Sequence, residues 1–162
     1  MNDLPLFIND TIGLLENRFN VIYDNVNLLT VKGGIGYQRQ QVFNVNLNAA
    51  YYLYSTDREI KAWHKPNYEA GLSASYTFLK KYTVDAALIV SGGRYSKTYT
   101  GGEHRATELK EALDLNLGFE YRHNKSWSAF FRANNLLDQH YQLWYNYPVQ
   151  GLQVMVGATY SF

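Results

Sequence analysis

The stretch Gly151–Phe162, GLQVMVGATYSF, decides how the rest of the chain is read. Leu152, Val154, Val156, Ala158, Tyr160 and Phe162 fall on one side of an extended segment. Gln153, Met155, Gly157, Thr159 and Ser161 fall on the other, because strand side chains alternate with a period of two. One face is apolar throughout, and the segment ends on an aromatic residue. Such a strand predicts a sheet whose oily side meets either a core or a membrane.

The same alternation recurs upstream. Trp127, Ala129, Phe131 and Ala133 oppose Ser128, Phe130, Arg132 and Asn134; Leu113, Leu115, Leu117, Phe119 and Tyr121 oppose Asp114, Asn116, Gly118, Glu120 and Arg122. Further back come Val84–Val90, Tyr68–Phe78, Phe43–Leu53 and Leu29–Tyr37, each with one apolar set and one polar or glycine-rich set. Short turns at Arg39–Gln41, Lys80–Lys81 and His123–Lys125 alternate with longer connections at Ser55–Asn67, Gly92–Thr107 and the loop through Tyr147, Pro148 and Gly151. Residues 1–27 have no sustained period and predict loop with at most a partial strand, Phe19–Tyr23.

A soluble sandwich also buries one face of each strand. Strand length separates the two cases: these segments run about ten to twelve residues, against about five to six in soluble sheets and about 9 to 11 for a tilted strand that crosses hydrocarbon. The fold predicted is therefore all-β, an antiparallel up-and-down transmembrane β-barrel segment of about seven to eight long strands. Short periplasmic turns and longer external loops are the habit of outer-membrane barrels, which sets the expected location as the outer membrane of a Gram-negative bacterium.

Composition agrees. The chain of 162 residues holds 15 Tyr, 8 Phe and 3 Trp but only 3 Pro, favouring strands and demanding interfaces for amphipathic rings. Tyr37, Tyr76, Phe78, Tyr121, Trp127, Tyr160 and Phe162 lie toward the short-turn end and read as an aromatic girdle in contact with outer-membrane lipid. A net charge of +1 with intermixed signs gives no reason to expect nucleic acid, and the absence of Cys removes disulfides and thiolate chemistry. Met1–Asp10 lacks the basic start and apolar core of an export signal, which predicts either a processed chain or part of a longer one.

The polar face supplies lumen candidates: Asn44, Asn46, Asn48, Asp85, Asp114, Asn116, Glu120, Arg132 and Asn134. The acids read as lumen electrostatics, paired with Arg122 and Arg132, rather than as catalytic carboxylates. His64, His104, His123 and His140 lie on turns or loops without ligand spacing, so no metal, cofactor or catalytic residue is expected. For a ligand at the external loops, the aromatic and arginine anchors are Trp63, His64, Arg94, Tyr95, Tyr99, Arg105, Trp144 and Tyr145. The competing reading is that these side chains only pack the loops together.

From Leu113 onward the sequence resembles the carboxy-terminal strands of TonB-dependent outer-membrane receptors. The matching pieces are Asn135-Leu136-Leu137-Asp138 followed by Tyr141, the Tyr147-Pro148 to Gly151 loop, and the terminal aromatic. The wording AWHKPNY and YPVQGLQVMVGATYSF is similar to members from Bacteroidetes-type bacteria. The resemblance implies a barrel of about 22 strands with a plug, and import of a scarce nutrient such as a siderophore, cobalamin, peptide or glycan. It also implies contact with TonB through segments absent from this chain, and recognition of Tyr160 and Phe162 by the barrel-assembly machinery. Residues 28–162 would then be the carboxy-terminal portion of the barrel. The alternative is a small outer-membrane barrel of structural or adhesive role, closed by Phe19–Tyr23 as an eighth strand; an enzyme is a distant third.

Overall fold

The computed structural model describes residues 2–9, 18–100 and 103–162, and every regular element among them is a β-strand. In chain order these are β1 (Leu4–Asn9), β2 (Phe19–Asp24), β3 (Val26–Arg39), β4 (Phe43–Thr56), β5 (Tyr68–Phe78), β6 (Tyr82–Gly92), β7 (Tyr95–Thr100), β8 (Glu103–Glu108), β9 (Ala112–Arg122), β10 (Trp127–Asn134), β11 (Gln142–Trp144), β12 (Tyr147–Pro148) and β13 (Gln153–Tyr160). Seven of them form one antiparallel sheet in the order β13–β10–β9–β6–β5–β4–β3. These are the seven strands that alternation predicts.

The register lines up the apolar faces. Ile35 lies opposite Leu47, Leu47 opposite Leu72, Leu72 opposite Leu88, and Leu88 opposite Leu115. Closer to the short turns, Phe43, Tyr76, Val84, Phe119, Phe131 and Val156 form a second row. This whole face is uncovered: Ile35 is 73% exposed and Val156 77%. In water such a sheet would present an apolar patch far larger than soluble proteins tolerate. In hydrocarbon it is the favourable outcome, because every backbone group inside the sheet is already paired.

Ring contacts tie the short-turn end together. Tyr37, Phe43, Tyr76, Phe78, Tyr82 and Tyr121 form an unbroken series with centroid spacings between 5.0 and 6.4 Å. Trp127, Tyr160 and Phe162 continue it on the last hairpin at 4.7 and 4.9 Å. Phe43, Tyr82 and Phe119, which packs 6.2 Å from Tyr82, extend the girdle read from the sequence.

The three short turns are joined by backbone bonds between neighbours. Thr77 N–H donates to Val42 O, Arg122 N–H to Lys81 O, and Ser161 N–H to Ser126 O, at 2.7, 2.7 and 2.9 Å. The last strand is shorter than its alternation suggests, because Leu152 N–H turns aside to donate to the Asp138 carboxylate.

The buried side chains sit at the loop end. Leu6, Val26, Ala62, Trp63, Leu109 and Tyr141 are enclosed there, together with Arg94 and Ser96. The sheet is thus a wall with two open faces, and the packed interior belongs to the loops. The amino-terminal stretch, expected as loop or partial strand, holds two strands, β1 and β2, paired as a hairpin; residues 10–17 between them lie outside the described residues. Phe19–Asp24 pairs with Leu4–Asn9 and not with an edge of the sheet, so it does not act as an eighth wall strand.

Candidate functional site

The loop end is organised by the segment 57–67. Asp24 closes β2 with its carboxylate accepting backbone N–H groups of Asn25, Arg58 and Glu59 at 2.8 to 3.1 Å. Burial pushes its pKa up, but these three donors and the Arg58 charge outweigh that and hold the carboxyl below the usual range. Glu59 then bridges outward, accepting from Trp63 Nε1 at 2.8 Å and pairing with Lys97 of β7 at 2.8 Å. Lys97 also stands 5.9 Å from the Trp63 ring, and Lys61 stands 4.4 Å from that of Tyr95. Trp63 is only 1% exposed. Its role here is to anchor segment 57–67 onto the β7–β8 hairpin.

His64 joins three segments. Its backbone N–H donates to Tyr95 O at 2.8 Å, its Nδ1 donates to Phe7 O at 3.0 Å, and its Nε2 accepts the Tyr145 N–H at 3.4 Å. Around it Phe7, Phe19, Trp144 and Tyr147 pack edge-on or tilted, with centroid spacings between 5.0 and 6.0 Å. Both ring nitrogens are used only if the imidazole is neutral. Burial lowers the His64 pKa, the Phe7 carbonyl partly offsets this, and the Arg94 charge lowers it again.

A lowered imidazole pKa gives stability that is complete above about 6.5 and lost as pH falls toward the folded-state value, since the unfolded chain then binds more protons. The Tyr145 amide is therefore expected to lose hydrogen-exchange protection on acidification through that window, after correction for intrinsic rates. A His64→Gln variant should show no such pH dependence. Equal pH dependence in both would sink the assignment.

Beside this cluster Arg94 is 2% exposed, and its Nη2 donates to Lys110 O at 3.3 Å. Burial lowers its pKa, opposed by Tyr141 and Glu69. Tyr141 donates its hydroxyl to Asp114 Oδ2 at 3.2 Å, and burial together with that carboxylate raises the phenol pKa. Asn135 organises the last loop: Nδ2 donates to Gln139 O and Gln150 O at 2.8 and 2.9 Å, and Oδ1 accepts Gln139 N–H at 3.0 Å. Asp138 takes Leu152 N–H at 2.9 Å, and a Cβ at Gly151 would overlap the Asp138 carboxylate. Asn135, Asp138 and Gly151, among the residues that carry the sequence resemblance, thus form one clamp between β10 and β13.

The anchors expected from sequence therefore separate into groups. His64, Trp144 and Tyr145 come together; Trp63 and Tyr95 are linked through lysines; Arg94 is enclosed beside Tyr141. Tyr99 and Arg105 lie apart on the exposed β7–β8 hairpin, where Tyr99 packs 5.2 Å from His104. Phe19 and Tyr147, which nothing but aromaticity marks as loop anchors, belong to the His64 group and are absent from the sequence-based set of anchors.

The nine polar positions expected to line a lumen all fall on the face opposite the apolar rows. Asn44, Asn46 and Asn48 oppose Ser75, Ser73 and Gly71, and Asp85 opposes Gly118, which opposes Arg132. Glu120 stands 3.6 Å from Arg122. Arg132 stacks 5.5 Å over Phe130, with no carboxylate pairing among the described residues, and Phe130 covers Gly157. Small residues leave an open hollow of about 810 Å³ between Lys32, Asn48, Tyr52, Glu69, Gly71 and Ala87, in whose lining Tyr52 donates to Glu69 at 2.8 Å.

No family model matches the chain, and no curated protein matches it either. Solved structures do. FpvA of P. aeruginosa bound to heterologous pyoverdines superposes over 99% of this chain and 23% of its own, with TM-score 0.76 and 15% identity. The FpvAI–pyocin S2 complex gives TM-score 0.75 and 14% identity over 99% of this chain and 23% of that one. The ferripyoverdine receptor of the Pseudomonas aeruginosa outer membrane gives 0.74 and 16% over 88% and 20%. The chain spans about a quarter or less of these structures. At such identities the likeness establishes fold: this chain is similar in fold to a section of the FpvA ferripyoverdine receptor of the outer membrane.

Proposed function

We propose that the chain is part of the barrel wall of a TonB-dependent outer-membrane receptor, with residues 28–162 as the carboxy-terminal portion. The receptor would import a scarce nutrient such as a siderophore, cobalamin, peptide or glycan. The observation that carries this reading is the open sheet. Seven antiparallel strands leave β3 and β13 as edges running in the same direction, both toward the short turns. Closure on itself would need a parallel seam, and an all-antiparallel barrel needs an odd number of further strands. Unpaired edges in hydrocarbon cost several kcal/mol for each exposed backbone group.

On this reading the remaining strands pair with β3 and β13, the plug fills the hollow on the polar face, and TonB acts only through segments outside this chain. Tyr160 and Phe162 serve the barrel-assembly machinery. Exposed Trp144, Tyr99 and Arg105 are the loop contacts for cargo. Trp63, His64, Arg94, Tyr95 and Tyr145 hold the loops in place for them.

The small closed barrel is disfavoured because β2 pairs with β1. Mass determination of the folded chain in detergent tests the choice. The expected result is an oligomer or a species that resists heat-modifiable folding until the rest of the barrel is supplied. A compact, heat-modifiable monomer overturns it.

A further inference from the structure

Charges that are intermixed along the sequence are sorted by the fold. The short-turn end carries Arg39, Lys80, Lys81, Arg122 and Lys125, all exposed, against a single acidic side chain, Glu120. That carboxylate already faces Arg122 at 3.6 Å. With a net charge of only +1, the rest of the chain is left net acidic. Among the described residues, Arg39, Lys80, Lys81 and Lys125 have no carboxylate within ion-pair distance.

Two further features lie at the same level. Arg39 opposes Phe43, which puts it on the apolar outer face at the girdle, and no other charge occupies that face between Leu29 and Tyr37. The β5–β6 turn presents Leu79, 78% exposed, with Leu79 and Lys80 both in the left-handed region at φ 51° and 57°. An apolar residue at the tip of a water-facing turn gains nothing, and glycine or asparagine would adopt this backbone more readily. At a headgroup layer Leu79 has apolar surface to bury, while the flanking lysines reach phosphates.

We propose that this rim is a binding collar for anionic phospholipid headgroups, with Arg39, Lys80, Lys81 and Lys125 contacting lipid phosphate just below the aromatic girdle. The backbone bonds between adjacent turns hold these cations in one row along the short-turn end. The collar rests on the membrane placement argued above but not on the receptor's cargo or on its plug. Attraction of one lysine to an anionic leaflet amounts to about a fivefold change in affinity at moderate salt.

The test uses the assembled barrel, this chain completed by the strands that pair with β3 and β13, held in detergent and titrated separately with short-chain phosphatidylglycerol and phosphatidylcholine, with retained lipid counted by native mass spectrometry. Wild type should retain phosphatidylglycerol in preference to phosphatidylcholine, with the preference fading at high salt. K80Q/K81Q should weaken phosphatidylglycerol binding by about 25-fold, the product of two such steps. K80R/K81R should keep it, and the loop-end pair K65Q/K110Q should leave it unchanged. Equal retention of both lipids by wild type overturns the collar and leaves the wall reading intact. Equal losses in the loop-end and turn variants also overturn it. Retention of neither lipid overturns both readings.

Discussion

Leu72→Arg is expected to destabilise the bilayer-embedded protein by about 2–4 kcal/mol, whereas Ser73→Arg should change it by less than about 0.5 kcal/mol. The two residues are neighbours at the middle of β5, yet they face different media. Leu72 lies between Leu47 and Leu88 in the apolar row. Ser73 lies between Asn46 and Ala87, beside the hollow of the polar face. An arginine at 72 must either carry its guanidinium through hydrocarbon or bend the strand to reach the interface. At 73 it meets Asn46 and open space. Urea unfolding of the assembled barrel from lipid bilayers measures both. A neutral Leu72→Arg beside a costly Ser73→Arg would reverse the assignment of faces and remove the basis for a membrane wall.

The same two-medium constraint explains why the wall is readable in the sequence. On the proposed placement each of the seven strands would have lipid on one side and a polar interior on the other, so the period-two pattern is enforced along its whole length. The loop hairpins lack that constraint. In β7, YSKTYT, the buried positions include Ser96 and Thr98 while Tyr99 is exposed, the reverse of the usual sorting. Ser96 donates to Asn9 at 2.8 Å, 87 residues away, and Thr98 meets Thr107 of the paired strand at 2.7 Å, so both partners are polar and no apolar pattern marks them.

At the loop end residue type is the only local signal, and it does not separate a side chain that binds cargo from one that packs a loop. Trp63 and Arg94 are enclosed, while Trp144 keeps an exposed edge, and nothing local in the sequence distinguishes them. The cationic rim is not legible locally for a related reason. Arg39, the Lys80–Lys81 pair and Lys125 are far apart along the chain, and only the hairpin connections bring their turns to one level.

Asn135→Ala is expected to cost about 3 kcal/mol in the opening of the β10–β13 loop, a loss with two separable sources. The first is bonding. The Asn135 side chain satisfies two backbone carbonyls and one backbone N–H, at Gln139 and Gln150, and alanine leaves those part-buried groups without it. The second is conformation, since Asn135 sits at φ 49°, where a Cβ without a local hydrogen bond is disfavoured by about 1–2 kcal/mol. Asn135→Gly removes the bonds but relieves the backbone, so it should cost about 1 kcal/mol less than alanine. Asn135→Asp keeps the acceptor for Gln139 N–H and tolerates the backbone, so its loss comes from the two carbonyls alone. Hydrogen exchange at the Gln139 and Leu152 amides reads the opening directly, because Leu152 is held by Asp138 in the same clamp. If glycine and alanine prove equivalent, strain contributes nothing; if all three variants match wild type, this element does not hold the last strand to the wall.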